Sequence, residues 1–169
     1  MKYKTGIVIM AAVFLLQPFF GALIPVLGRP DVIMCIMAAS AASMTEKDAF
    51  PLVTAGFVFE LLRDMVFSQY IGSGLMSVAG VLLVVLAMRK LITVDAPAGN
   101  VLMSITAAVS KPFFSWLLAM ATGEKCGLVY VFRSSFVSII ADAVLIAAIC
   151  YFTGRNRSSS DNFGNGFFV

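Results

Sequence analysis

An all-α bundle of about six short membrane-spanning helices is the fold class this sequence predicts, and three observations predict it. Sixty per cent of the 169 residues are hydrophobic and only 12% are charged, against about 25% charged in an ordinary soluble domain. Apolar runs recur from end to end, separated by short polar turns, and no polar block is long enough to fold alone. The chain is therefore expected to form one integral membrane helical domain over residues 1–153, followed by a disordered cytoplasmic tail over 154–169. The formal charge of +3 comes from cations in short loops between apolar runs, a topology signal that gives no support to a nucleic-acid partner.

The first helix is expected from about Gly6 to Leu27, loosened in its second half by Pro18, Gly21 and Pro25, each proline removing a backbone donor. The MKYK start resembles a signal peptide but lacks a convincing cleavage site, so this helix is expected as an uncleaved span. Pro30 and Asp31 open the second helix, proline tolerated in a first turn and aspartate matching the positive helix terminus. That helix reaches only about Met44, roughly 21 Å at 1.5 Å per residue, too short for a hydrocarbon core of about 30 Å unless its surroundings are thinned or protein-lined. Its Ala38, Ala41 and Ala42 offer a small-residue packing face.

The third helix is expected to start near Asp48 as N-cap and to carry Gly56, Glu60, Arg63, Asp64 and Phe67 on one narrow stripe at i, i+4, i+7, i+8 and i+11. It ends before the break at Gly72-Ser73-Gly74. The fourth runs from about Leu75 to Met88 and stops at the basic pair Arg89-Lys90. The fifth spans about Asn100 to Ala121, where Pro112 should kink or break it beside Lys111. The sixth covers about Ser135 to Phe152 and contains Asp142, and the Ser/Asn/Gly-rich stretch after Gly154 is the expected tail. With six spans, Lys2, Lys4, Lys47, Arg89, Lys90, Arg155 and Arg157 share one face and Arg29, Arg63, Lys125 and Arg133 the other. That bias puts both termini in the cytoplasm of a multi-pass membrane protein. A five-span alternative, merging two middle helices, would spoil the balance.

Ionisable groups at membrane depth cost roughly 2.5–3.5 kcal/mol each, so they persist only with partners or a site. Counting from the helix ends puts Glu60, Lys111 and Asp142 at one level, roughly 18–19 Å from the cytoplasmic face. They are expected to form a buried charge network in which Lys111 answers Glu60 and Asp142, either as structure or as a substrate or proton path. Arg63 and Asp64, about 24 Å along their helix, are expected near the outer surface.

Few chemistries fit this composition. Histidine is absent, which removes imidazole bases and the common nucleophilic pairs. Cys35, Cys126 and Cys150 have no CxxC spacing and are expected to be inert thiols. Asp64 and Asp142 are the only candidates for an intramembrane aspartyl pair, and their estimated depths differ. No catalytic residue, cofactor or metal site is expected.

The apolar first helix, the Pro30-Asp31 start, the segment from Gly56-Phe57 through Asp64 and the Gly72-x-Gly74-Leu75 break together resemble the MreD family of bacterial rod shape-determining membrane proteins. The resemblance covers roughly residues 20 to 90, and it makes Pro30, Asp31, Gly56, Asp64, Gly72 and Gly74 the family-motif structural positions. Glu60 departs from it, since the family often has a small residue there. The resemblance implies a non-enzymatic scaffold of the cell-elongation machinery. Its implied partners are a bitopic MreC-like protein and, through it, MreB filaments and peptidoglycan synthases. It further implies a fold similar to the S components of energy-coupling-factor transporters. The alternative that this kinship supplies is a small-molecule (vitamin) binding component of a transporter.

Overall fold

The computed structural model describes residues 3–23, 31–67, 72–91, 97–124 and 127–164. Six helices account for nearly all of them: α1 (Tyr3–Leu23), α2 (Val32–Ser43), α3 (Glu46–Phe67), α4 (Ser73–Leu91), α5 (Pro97–Ala121) and α6 (Leu128–Gly164), with no strand among the described residues. Three of them are long and apolar enough to cross a membrane: Ser73–Leu91, Ala98–Ala121 and Leu128–Thr153. Among the described residues the structure therefore bears out the six-helix, all-α architecture and shows three of the helices as membrane-crossing by length and composition. Of the others, α2 has only 12 residues, and Glu60, Arg63 and Asp64 interrupt the apolar run of α3. Pro30 lies outside the described residues.

The short helix α2 is the core. Every residue from Ile33 to Ala42 is buried, and α1, α3, α4, α5 and α6 all pack against it. A helix apolar on all sides is stable only when enclosed. In lipid the hydrophobic effect does not press helices together, so close contact must come from small side chains. Ala38, Ala39, Ala41 and Ala42 supply it, all at 4% exposure or less. The expected small-residue face is real and is wider than Ala38, Ala41 and Ala42.

Both ends of α2 are tied down by charged side chains. Asp31 is its N-cap, accepting from Met34 N at 3.3 Å, which satisfies one of the orphan donors of a helix start. At the other end Arg89 of α4 donates to the Ala41 carbonyl at 2.9 Å, a cation placed where the helix dipole is negative. The basic pair that closes α4 thus also closes α2.

Helix α3 starts at Glu46, two residues before the expected Asp48. Asp48 N donates to the Thr45 carbonyl and Thr45 Oγ1 to Asp48 Oδ2 at 2.8 Å. Thr45 and Asp48 together stabilise the first turn. Helix α5 continues through Pro112, so the expected break is absent. Helix α6 starts at Leu128, seven residues before Ser135, and runs on to Gly164. The expectation of disorder after Gly154 meets a continuous helix there, and no proline occurs over 154–164 to stop one.

Three glycines of the motif have separate structural reasons. A Cβ on Gly56 would overlap the Met37 side chain where α3 crosses α2. Gly74 has Asp64 Oδ1 2.5 Å from the place a Cβ would take. Gly72 adopts φ +92°, a backbone conformation costly for residues with a Cβ. We expect Gly56→Val to destabilise the folded chain by about 1–3 kcal/mol through overpacking and Gly72→Ala by about 1–2 kcal/mol through backbone strain. Denaturation in detergent, followed by helical circular dichroism, checks both.

Candidate functional site

The polar groups of the bundle gather at one level. At 1.5 Å per residue, Glu60 stands about 21 Å from the start of α3 and Lys111 about 21 Å from the start of α5, while Asp31 stands about 18 Å from the end of α2. Asp142 is about 17 Å from Thr153 along α6. By this count the short α2 brings Asp31 to the same level as Glu60, Lys111 and Asp142.

Asp31 is the hub. Its Oδ2 lies 2.9 Å from Arg63 Nη1 of α3 and 2.9 Å from Lys111 Nζ of α5. Its backbone N–H donates to Asp142 Oδ1 of α6 at 2.9 Å. Lys111 Nζ also approaches Asp142 Oδ2 at 4.0 Å, and Cys35 Sγ donates to Asp142 Oδ1 at 3.6 Å. Glu60 joins through Arg63, whose Nη2 lies 2.5 Å from Glu60 Oε2. One chain of charge thus runs Glu60, Arg63, Asp31, Lys111, Asp142 across α3, α2, α5 and α6.

The carboxylates are deep. Glu60 is 0% exposed, Asp142 1%, Asp64 3% and Asp31 4%. Lys111 and Arg63 keep 24% and 17% of their side chains accessible. Burying isolated charges is costly, and breaking one partner out of a buried pair costs more than the pair itself contributes. The cluster is stable because each cation is shared between two carboxylates.

Asp64 does a different task. Its Oδ2 accepts from Leu75 N at 3.0 Å, in the first turn of α4, where backbone donors lack intrahelical partners. It therefore fastens the end of α3 to the start of α4 across the Gly72–Gly74 break. Ser77 Oγ and Ser115 Oγ, 3.3 Å apart, and the close pass of Gly80 against the Phe114 ring join α4 to α5 beyond it.

Of the sequence expectations, Glu60, Lys111 and Asp142 all belong to one cluster, and Lys111 does approach Asp142. The direct Glu60–Lys111 pair is corrected: no such ion pair occurs among the described residues, and Arg63 and Asp31 stand between them. Arg63 and Asp64, expected as interfacial residues, have partners inside the bundle: Asp64 is buried and Arg63 half-buried. Arg63 sits one turn above Glu60, but helical side chains lean toward the N-terminus, which brings its guanidinium down to the carboxylates. Asp64 and Asp142 have separate partners. Neither pairs with the other. Sequence reasoning gave Asp31 only its place at the start of α2 and missed its ion pairs with Arg63 and Lys111. The signal that finds it is the 12-residue length of α2, which starts that helix at the level of Glu60 and Lys111.

No protein-family model, curated protein or solved structure matches the chain. Among the described residues no group of histidine, cysteine and carboxylate side chains is arranged to hold a metal ion.

Removing the hub should be the most damaging single change. Asp31→Ala leaves Arg63 and Lys111 without their shared carboxylate, and we expect a loss of about 3–5 kcal/mol. Asp64→Ala leaves one backbone donor unpaired and should cost about 1–3 kcal/mol. Unfolding of the two variants side by side in the same detergent checks the order.

Proposed function

We propose that the chain is a non-enzymatic membrane scaffold similar to MreD, acting in the inner membrane of a rod-shaped bacterium with both termini in the cytoplasm. In this reading α1, the short α2 and the charge-bearing α3 are further spans beside the three long apolar helices. It binds a single-span MreC-like protein and through it helps to position MreB filaments and peptidoglycan synthesis.

The observation that carries this reading is what the motif residues do. Asp31 ties its own helix to three others, Gly56 admits Met37, Asp64 caps α4 and Gly72 turns the chain between α3 and α4. The residues that support the resemblance are thus occupied by architecture, with the carboxylates of Asp31 and Asp64 taken up inside the bundle. A motif of that kind preserves a shape, and a preserved shape is what a docking partner needs. The smaller second reading, a vitamin-binding transport component, draws on the start of α2 at mid-depth, since interrupted helices at such depth frame substrate sites in transporters.

Two experiments separate the readings. Affinity purification of the tagged chain from its own membranes should recover a bitopic protein with a periplasmic domain, and deletion should turn rods into spheres. A deletion strain that keeps its rod shape and needs a vitamin, with the purified chain carrying that vitamin and an ATPase module, contradicts the scaffold.

A further inference from the structure

The charge chain does not sum to zero. Asp31, Glu60 and Asp142 face only Arg63 and Lys111, three carboxyls against two cations. Asp64 stands beside them but is answered separately by the N-terminus of α4. At this depth an uncompensated negative charge is expensive, and a buried carboxyl commonly escapes the cost by taking a proton.

The hydrogen bonds identify which carboxyl is least supported as an anion. Asp31 accepts from Arg63, Lys111 and Met34 N. Asp142 accepts from the Asp31 N–H, from Cys35 and from Ser138. Glu60 is fully buried, and neither of its oxygens accepts a hydrogen bond. Arg63 Nη2 is close to Oε2 but lies off the direction of its N–H groups, while Nη1 of the same guanidinium is directed to Asp31. Oε1 has no partner at all among the described residues.

We propose that Glu60 is a proton-binding site, its carboxyl holding one exchangeable proton inside the bundle and bringing the five-residue chain to neutrality. The proton comes from the surrounding water by way of the accessible edge of the cluster, where Lys111 and Arg63 keep 24% and 17% of their side chains exposed, and it returns there when Glu60 ionises. The groups around Glu60 set the balance: Asp31 and Cys35 on α2, Arg63 and Asp64 on α3, Lys111 on α5 and Asp142 on α6. The described charges of α4, Arg89 and Lys90, lie at the far end of that helix, where Arg89 is bound to Ala41. In α1 the described charge is Lys4, in its first turn. This assignment rests on the geometry of the cluster and not on the scaffold reading.

Dicyclohexylcarbodiimide, an apolar reagent that attacks protonated carboxyls, tests it on the full chain in membranes. Peptide mapping by mass spectrometry should find the adduct on Glu60 at neutral pH, with exposed Glu124 unlabelled, and the Glu60 adduct should fall severalfold as the medium is made alkaline. Infrared spectra should show a carbonyl band of a buried carboxylic acid that shifts in heavy water and is lost in Glu60→Gln. Mapping of the unmodified sequence stands alone if that variant fails to fold. The absence of label on Glu60, its appearance on Asp142 instead, or suppression by sodium at constant pH would each overturn the proposal, the last by making the ligand a metal cation.

Discussion

One carboxylate holds the bundle together. Asp31 accepts from a guanidinium on α3 and an ammonium on α5, caps the helix it begins, and presents its own N–H to a carboxylate on α6. Ion pairs at low dielectric are strong, but each partner must be stripped of water first. The arrangement meets that cost by making every contact serve two purposes. Arg63 bridges Glu60 and Asp31, Lys111 bridges Asp31 and Asp142, and Asp31 is both ion-pair partner and N-cap. The rest of the fold follows from placing that aspartate at depth. A 12-residue α2 can be enclosed on all sides only if its polar N-terminus meets partners there, and the ring of longer helices supplies them.

Much of this was legible from the residues. Six helices, their order, the charged stripe on α3, the small-residue face of α2, the turn at Gly72 and the common level of Glu60, Lys111 and Asp142 all follow from periodicity, caps and a rise of 1.5 Å per residue. What escaped is the pairing. Counting gives height along each helix and no rotation about the bundle axis, so it could not choose between Glu60 and Asp31 as the partner of Lys111. Nor could it tell that the Arg63 side chain reaches back by a turn. The interruption expected at Pro112 did not occur; α5 runs on past it. The start of α6 was misplaced because Arg133 and Ser134 look like loop residues, although a single exposed cation near a helix end is tolerated by snorkelling.

Function and architecture meet at the same residues. In the scaffold proposed above, the glycines and aspartates of the motif set helix separations and helix starts. Glu60, which departs from that pattern, is the one member of the cluster whose oxygens are left without hydrogen bonds. A further carboxyl in this core has a chemical consequence, since the five-residue chain then holds one more acid than it has cations to balance. A structure fastened by charge and carrying a titratable group inside the fastening links its stability to proton occupancy.

The central claim is that Asp31 and Lys111 act as one unit across α2 and α5. A double-mutant cycle of Asp31→Asn, Lys111→Met and the combined variant, read by reversible unfolding in one detergent, measures that unit directly. The account predicts that the double variant is more stable than the sum of the single losses allows, with a coupling of about 1–3 kcal/mol. Losses that add to within about 0.5 kcal/mol would show that the two side chains are neighbours without being partners, and would contradict the account.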